Sequence, residues 1–129
     1  MDWVWISKIV ALAVHGEQIA EHGGQAGVRD EGLLESALSR PLNKEGYENT
    51  EVADSAAAYA YGLTKNHPFF DGNKRTAFVV MALFLELNGY ELIADDVSCL
   101  GSFLSLADGN FTEENLANWL KGNISSITD

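Results

Sequence analysis

Apolar residues recur at helical spacing along most of this chain. From residue 4 to residue 22 they fall at Val4, Ile6, Ile9, Val10, Ala13, Val14 and Ile19, the three-four rhythm of an amphipathic helix. Gly23-Gly24 ends it, since glycine readily takes the left-handed conformation that follows a helix C-terminus. Asp30 reads as the N-cap of a short second helix through about Ser39, with Leu33, Leu34, Ala37 and Leu38 inward, and Pro41 is expected to stop it. Residues 42–50 are polar around a central glycine and read as an exposed loop or flap.

Residues 51–66, rich in Ala and Tyr, predict a third helix that ends near Asn66, because Pro68 disfavours helical geometry at His67. Residues 73–88 are apolar on nearly every side, which marks a buried central helix closed by Asn88-Gly89. A brief extended piece (YELIA), a helix from Asp95 to about Ala107, a turn at Asp108-Gly109-Asn110 and a last helix near 113–122 follow. The tail, 124–129, is expected to fray. There is no internal repeat and no sustained two-residue alternation. The expectation is an all-α fold, a single domain over residues 1–129, with about six helices around the 73–88 element.

Composition narrows the partners. A hydrophobic fraction of 47% in 129 residues suits a globular domain. The net charge of -11 opposes binding to nucleic acid or an anionic membrane, because such binding needs clustered Lys and Arg. Cys99 is the only cysteine, so no internal disulfide forms; its apolar neighbours make it an expected core thiol. The first residues lack both a membrane-length apolar run and the cation of a signal peptide, and a cytoplasmic location is expected. The Trp and Tyr residues are expected to pack rather than to stack nucleic-acid bases.

Eight Lys and Arg serve the whole chain, yet Lys74 and Arg75 stand together in NHPFFDGNKRTAF, residues 66–78. This segment places a tight loop, His67–Gly72, at the N-terminus of the central helix. The first N–H groups there have no intrahelical partner and carry partial positive charge, which makes an anion site. Gly72 would let a phosphate approach the backbone, Arg75 offers a planar fork, and Lys74 adds a point charge. Asp71 could hold a magnesium ion, and His67 is the candidate general base. A plain structural reading stands beside this one: Asp71 as an N-cap, Gly72 as a turn residue, and Lys74 and Arg75 as surface cations. At least one of Phe69 and Phe70 should anchor the loop in the core. A phosphate-binding P-loop lacks its glycine and its Ser or Thr here, and no zinc-binding His pair exists. His15 and His22 are expected to be solvated helix residues.

HPFFDGNKR, His67–Arg75, resembles the signature of the Fic/Doc family: His, Pro, Phe, any residue, Asp or Glu, Gly, Asn, Gly or Lys, Arg. EHGGQAGVRDEGLLESALSRP, AAAYAYGLTKNHPF and LFLELNGYEL resemble its Doc (death-on-curing) branch, and the likeness covers roughly residues 10–122. The resemblance implies an all-α Fic fold in which His67 takes a proton from a target hydroxyl and Asp71 holds Mg2+ on the nucleotide. It also implies that backbone donors around Gly72 and Asn73, with Arg75, bind phosphate oxygens. Two departures from the AMP-transferring pattern are Lys74, where a second glycine is usual, and Phe78, where a distal arginine is usual. Both occur in the Doc-like branch. That likeness implies transfer of the γ-phosphoryl group of ATP to a protein hydroxyl, on elongation factor Tu, which halts translation. AMP transfer and an inactive binding module are the alternatives. No Glu-Gly or Glu-Asn pair has Ser or Thr four residues before its glutamate, as a built-in inhibitory helix would require. A separate Phd-like antitoxin is therefore the implied partner.

Overall fold

The computed structural model describes residues 3–45, 50–93, 96–109 and 111–127. Its elements run α1 (Lys8–His22), α2 (Glu31–Glu45), α3 (Val52–Asn66), α4 (Asn73–Leu87), β1 (Tyr90–Leu92), α5 (Asp96–Asp108), α6 (Glu113–Lys121) and β2 (Ile124–Ser126). The all-α class and the helix count stand as the periodicity indicated. None of these helices is long and apolar enough to cross a membrane.

The core forms where α3 and α4 run beneath the others. Alanines keep α3 slender, so Ala56, Ala57, Ala58 and Ala60 are fully enclosed and its neighbours come close. A Cβ at Gly62 would lie only 3.2 Å from the Ala37 Cα of α2. The predicted central helix, α4, buries Ala77, Val80, Met81, Phe84 and Leu85. Its flank of Phe78, Val79 and Leu83 is half-buried instead.

Three boundaries differ from the sequence expectation. The first helix begins at Lys8, where the Ser7 hydroxyl accepts from the Val10 N–H, and not at residue 4. Trp3–Ile6 belongs to no helix or strand, with Trp5 stacked on Phe84 at 5.7 Å and Ile6 buried. Both ends of Val4 pair with the Asn88 side chain, at 2.7 and 3.1 Å. Asp30 caps α2 as expected, but Pro41 does not stop it; the helix continues to Glu45 with the proline ring buried. The fixed φ of proline is itself helical, and burial of the ring offsets one missing donor. The expected loop at 42–50 is thus helical through residue 45, and residues 46–49 lie outside the described ones.

The tail is the third. Ile124–Ser126 pairs antiparallel with Tyr90–Leu92, in the register Tyr90 to Ser126 and Leu92 to Ile124. Ile127 N–H adds a bond to the Gly89 carbonyl at 2.8 Å. The extended residues after α4 need partners for their backbone groups, and the tail supplies them.

Candidate functional site

The motif loop starts where α3 ends. His67 holds a left-handed conformation, φ 48° and ψ 55°, as the C-cap of α3. A histidine rarely adopts this unaided, and Arg29 stabilises it. The Arg29 guanidinium donates through Nε to the His67 carbonyl at 2.8 Å and through Nη2 to that of Asn66 at 3.0 Å. The same stretch runs beside the loop: the N–H groups of Arg29 and Asp30 both donate to the Pro68 carbonyl, and Val28 bridges Phe69. Sequence reasoning missed Arg29. Its one signal was a cation directly before the N-cap Asp30, in a chain poor in cations.

Phe69 is the core anchor expected of the two phenylalanines, and Phe70 is half-exposed. The Phe69 ring stacks on His15 with centroids 3.8 Å apart. His15 therefore is not the solvated residue expected. It follows Ala11 and Val14 on the core-facing stripe of α1, is buried, and its Nε2 lies 2.8 Å from the Asp71 carbonyl oxygen. His22, further along α1, is exposed as expected but stands beside the motif, with Nε2 3.5 Å from an Arg75 guanidinium nitrogen.

Gly72 caps α4 in the left-handed conformation, φ 77°, and no side chain closes the helix end. A Cβ there would meet Ile19 Cδ1 at 3.3 Å, so the glycine serves the turn and close packing against α1. Asp71 is not the N-cap of the plain reading; its Oδ2 accepts from the Gln25 N–H at 2.6 Å instead. The first helical bond of α4 runs from Thr76 N–H to the Gly72 carbonyl. The N–H groups of Asn73, Lys74 and Arg75 precede it and have no partner within the helix. Around this end lies a cavity of about 350 Å³ lined by His67, Phe70, Asp71, Gly72, Asn73, Lys74, Arg75 and Leu104. Every site residue named from the sequence thus faces one hollow.

Within that hollow the side chains are not equally available. Asn73 turns its amide back on the loop, bonding both backbone groups of Phe69, so only its backbone N–H is left for an anion. The amide nitrogen also stands 3.3 Å from His67 Nδ1. An amide nitrogen only donates, so a neutral His67 in this arrangement carries its proton on Nε2. Acting as a base through Nε2 means giving up this contact, which is long and weak. Lys74 forms an ion pair with Asp108, the last residue of α5.

Among the described residues no group of three or more His, Cys, Asp or Glu could cage a metal. Asp71 offers a single carboxylate with one oxygen engaged, a donor set that suits a magnesium ion held mostly by substrate phosphates. Arg75 also borders a second hollow of about 700 Å³ between α1, α4 and α5. Its floor includes Phe78, Val79 and Leu83 and its rim includes Glu17, Glu21 and Glu86.

The family model described as Fic/DOC family matches residues 5–85. The chain is 30% identical over 117 residues to a protein named Protein kinase doc from Escherichia phage P1, which covers 90% of this chain and 92% of that protein. It is 43% identical over 77 residues to one named Toxin Doc from Mycolicibacterium smegmatis, 57% of this chain and 58% of that protein. The latter match spans little more than half of that toxin's length.

Proposed function

The chain belongs to the Fic/DOC family, and from that premise we propose that it is a Doc-type toxin that transfers the γ-phosphoryl group of ATP to a hydroxyl of a protein. The observation that carries this reading is the uncapped N-terminus of α4, opened by Gly72 onto a cavity that His67, Asp71, Lys74 and Arg75 share.

Phosphoryl transfer depends mostly on positioning and on charge stabilisation. The N–H groups of Asn73 to Arg75 and the Arg75 guanidinium take phosphate oxygens, with the helix dipole aligned to favour them. Lys74 exchanges its Asp108 carboxylate for a phosphate oxygen. His67 accepts the proton of the attacking hydroxyl as the new O–P bond forms. The bond from the γ-phosphorus to the bridging oxygen breaks, and ADP leaves with the electron pair. Asp71 is the residue that would hold magnesium, which when bound neutralises charge on the phosphates.

Two side chains favour this outcome over AMP transfer. Lys74 puts a cation at the helix end where a smaller residue would admit a diphosphate. Phe78 packs on Phe103 with centroids 5.5 Å apart and so provides no distal phosphate clamp. By resemblance the target is elongation factor Tu, which makes the cytoplasm the place of action, and the partner is a Phd-like antitoxin. The hollow beside Arg75, apolar beneath and acidic at its rim, suits an amphipathic antitoxin segment that carries Lys or Arg.

The test uses ATP labelled at the γ or the α phosphate, magnesium and a bacterial lysate. Label enters a protein from the γ position alone, and His67→Ala abolishes it. Incorporation from the α position reassigns the chain to AMP transfer; incorporation from neither makes it a binding module.

A further inference from the structure

We infer that His15 is a positioning residue for Asp71: by donating from Nε2 to the Asp71 carbonyl while stacked on Phe69, it fixes the backbone that aims the Asp71 carboxylate. The inference rests on the reading of the cavity as a magnesium–nucleotide site.

The carbonyl of Asp71 lies outside the α4 ladder, whose first acceptor is the carbonyl of Gly72. With His15 buried and Asp71 exposed the contact is partly buried, and without the donor the oxygen loses a hydrogen bond that solvent replaces only in part. α1 answers it. His15 is only 4% exposed, and a phenylalanine there would fill the same space against Phe69. What phenylalanine lacks is the N–H that meets the oxygen at 2.8 Å. This bond assigns the tautomer, because a carbonyl can only accept, so the proton sits on Nε2.

Asp71 is then gripped at both ends from one direction. His15 holds its carbonyl, and the Gln25 N–H holds carboxylate Oδ2 at 2.6 Å. The loop after α1 passes so close that a Cβ on Gly24 would come within 2.9 Å of the Asp71 Cβ. Among the described residues, Oδ1 has no hydrogen-bond partner. A carboxylate with its backbone pinned and one oxygen engaged has little freedom left to misplace the other. Partners that orient a metal ligand in this way affect metal affinity strongly, typically by ~10–100-fold when removed.

The experiment compares His15→Phe, which keeps the stack and loses the donor, with His15→Gln, which keeps a donor near Nε2 and loses the stack. Each loses one stabilising contact, so both are less stable than wild type. ATP binding is followed by calorimetry while magnesium is titrated. In His15→Phe the magnesium concentration for half-maximal binding rises about 10-fold, and in His15→Gln it stays within about 3-fold of wild type. A purely structural role would move the two variants together, and that result overturns the inference. Nitrogen NMR of the wild-type imidazole gives a readout independent of metal and of variant folding. A slowly exchanging Nε2 proton supports the assignment, and a ring protonated only at Nδ1 overturns it. A wild-type protein that binds no magnesium–ATP overturns the functional reading itself, whereas normal wild-type binding with the two variants alike overturns only the role of His15.

Discussion

Asn73 closes a two-bond clip on Phe69: its side-chain oxygen accepts from the Phe69 N–H at 2.9 Å, and its nitrogen donates to the Phe69 carbonyl at 3.0 Å. The clip spans the turn that feeds α4, and both residues are buried. Asn73→Ala orphans a buried N–H and a buried carbonyl, so urea unfolding should register a loss of about 2–3 kcal/mol. Asn73→Asp keeps the acceptor but sets a carboxylate against the Phe69 carbonyl, and should fare no better. A loss of less than about 0.5 kcal/mol in the alanine variant would mean that the clip contributes little.

Gly72→Ala tests the turn itself. The left-handed φ of 77° costs an alanine roughly 1–2 kcal/mol, and the new Cβ would press on Ile19 Cδ1 at 3.3 Å. Trimming the neighbour with Ile19→Ala relieves the contact but not the backbone strain. The double variant should therefore recover only part of the thermal midpoint and little nucleotide binding. Full recovery would assign the glycine to packing alone.

Alkaline stability should carry the mark of Tyr59. Its hydroxyl accepts from the Ile6 N–H at 2.9 Å, tying the stretch before α1 to α3. Burial pushes the phenol up from 10.0 to about 12, against a smaller opposing pull from the Ile6 N–H. The folded state thus holds this proton more tightly than the unfolded state does. The contribution is intact below pH 10 and is lost progressively as pH rises toward 12. Lys8, raised chiefly by its bond to Glu31, adds a loss of the same sign from 10.5 upward. The difference between wild type and Tyr59→Phe isolates the tyrosine: the variant is less stable at pH 8, and the gap narrows as pH climbs. A constant gap would rule out ionisation of Tyr59 as a cause.

The helices were legible because α3, α4 and α6 each carry enough turns for an apolar face to repeat. Pro41 misled because its local rule looks at one missing donor and not at the core beneath the ring. The extended piece at Tyr90–Leu92 was legible, but its pairing was not, because the partner strand lies across α5 and α6 in a tail expected to fray. The motif was readable because a single loop and helix turn carry it, so sequence neighbours are spatial neighbours. His15, Gln25 and Arg29 were not, since each meets Asp71, His67 or Asn66 only after folding, largely at backbone atoms that leave no trace in residue type. Asp108 was hidden by distance along the chain.

The Lys74–Asp108 pair links the motif to the end of α5, with the two side chains 37% and 66% exposed. Exposed pairs are weak, typically a few-fold in an equilibrium constant, so on the proposed ATP-binding reading the triphosphate displaces the carboxylate at that small cost. Asp108→Asn removes the competitor and leaves Lys74 to the nucleotide, and ATP affinity should rise about 2–5-fold at low ionic strength. High salt screens the pair and should shrink that gain. The effect should vanish in the background of Lys74→Ala, since Asp108 acts on the phosphates through the lysine. Weaker binding in Asp108→Asn would give the opposite role, a carboxylate that holds Lys74 in place for the phosphate. Calorimetric titration of the two single variants and the double variant separates these roles.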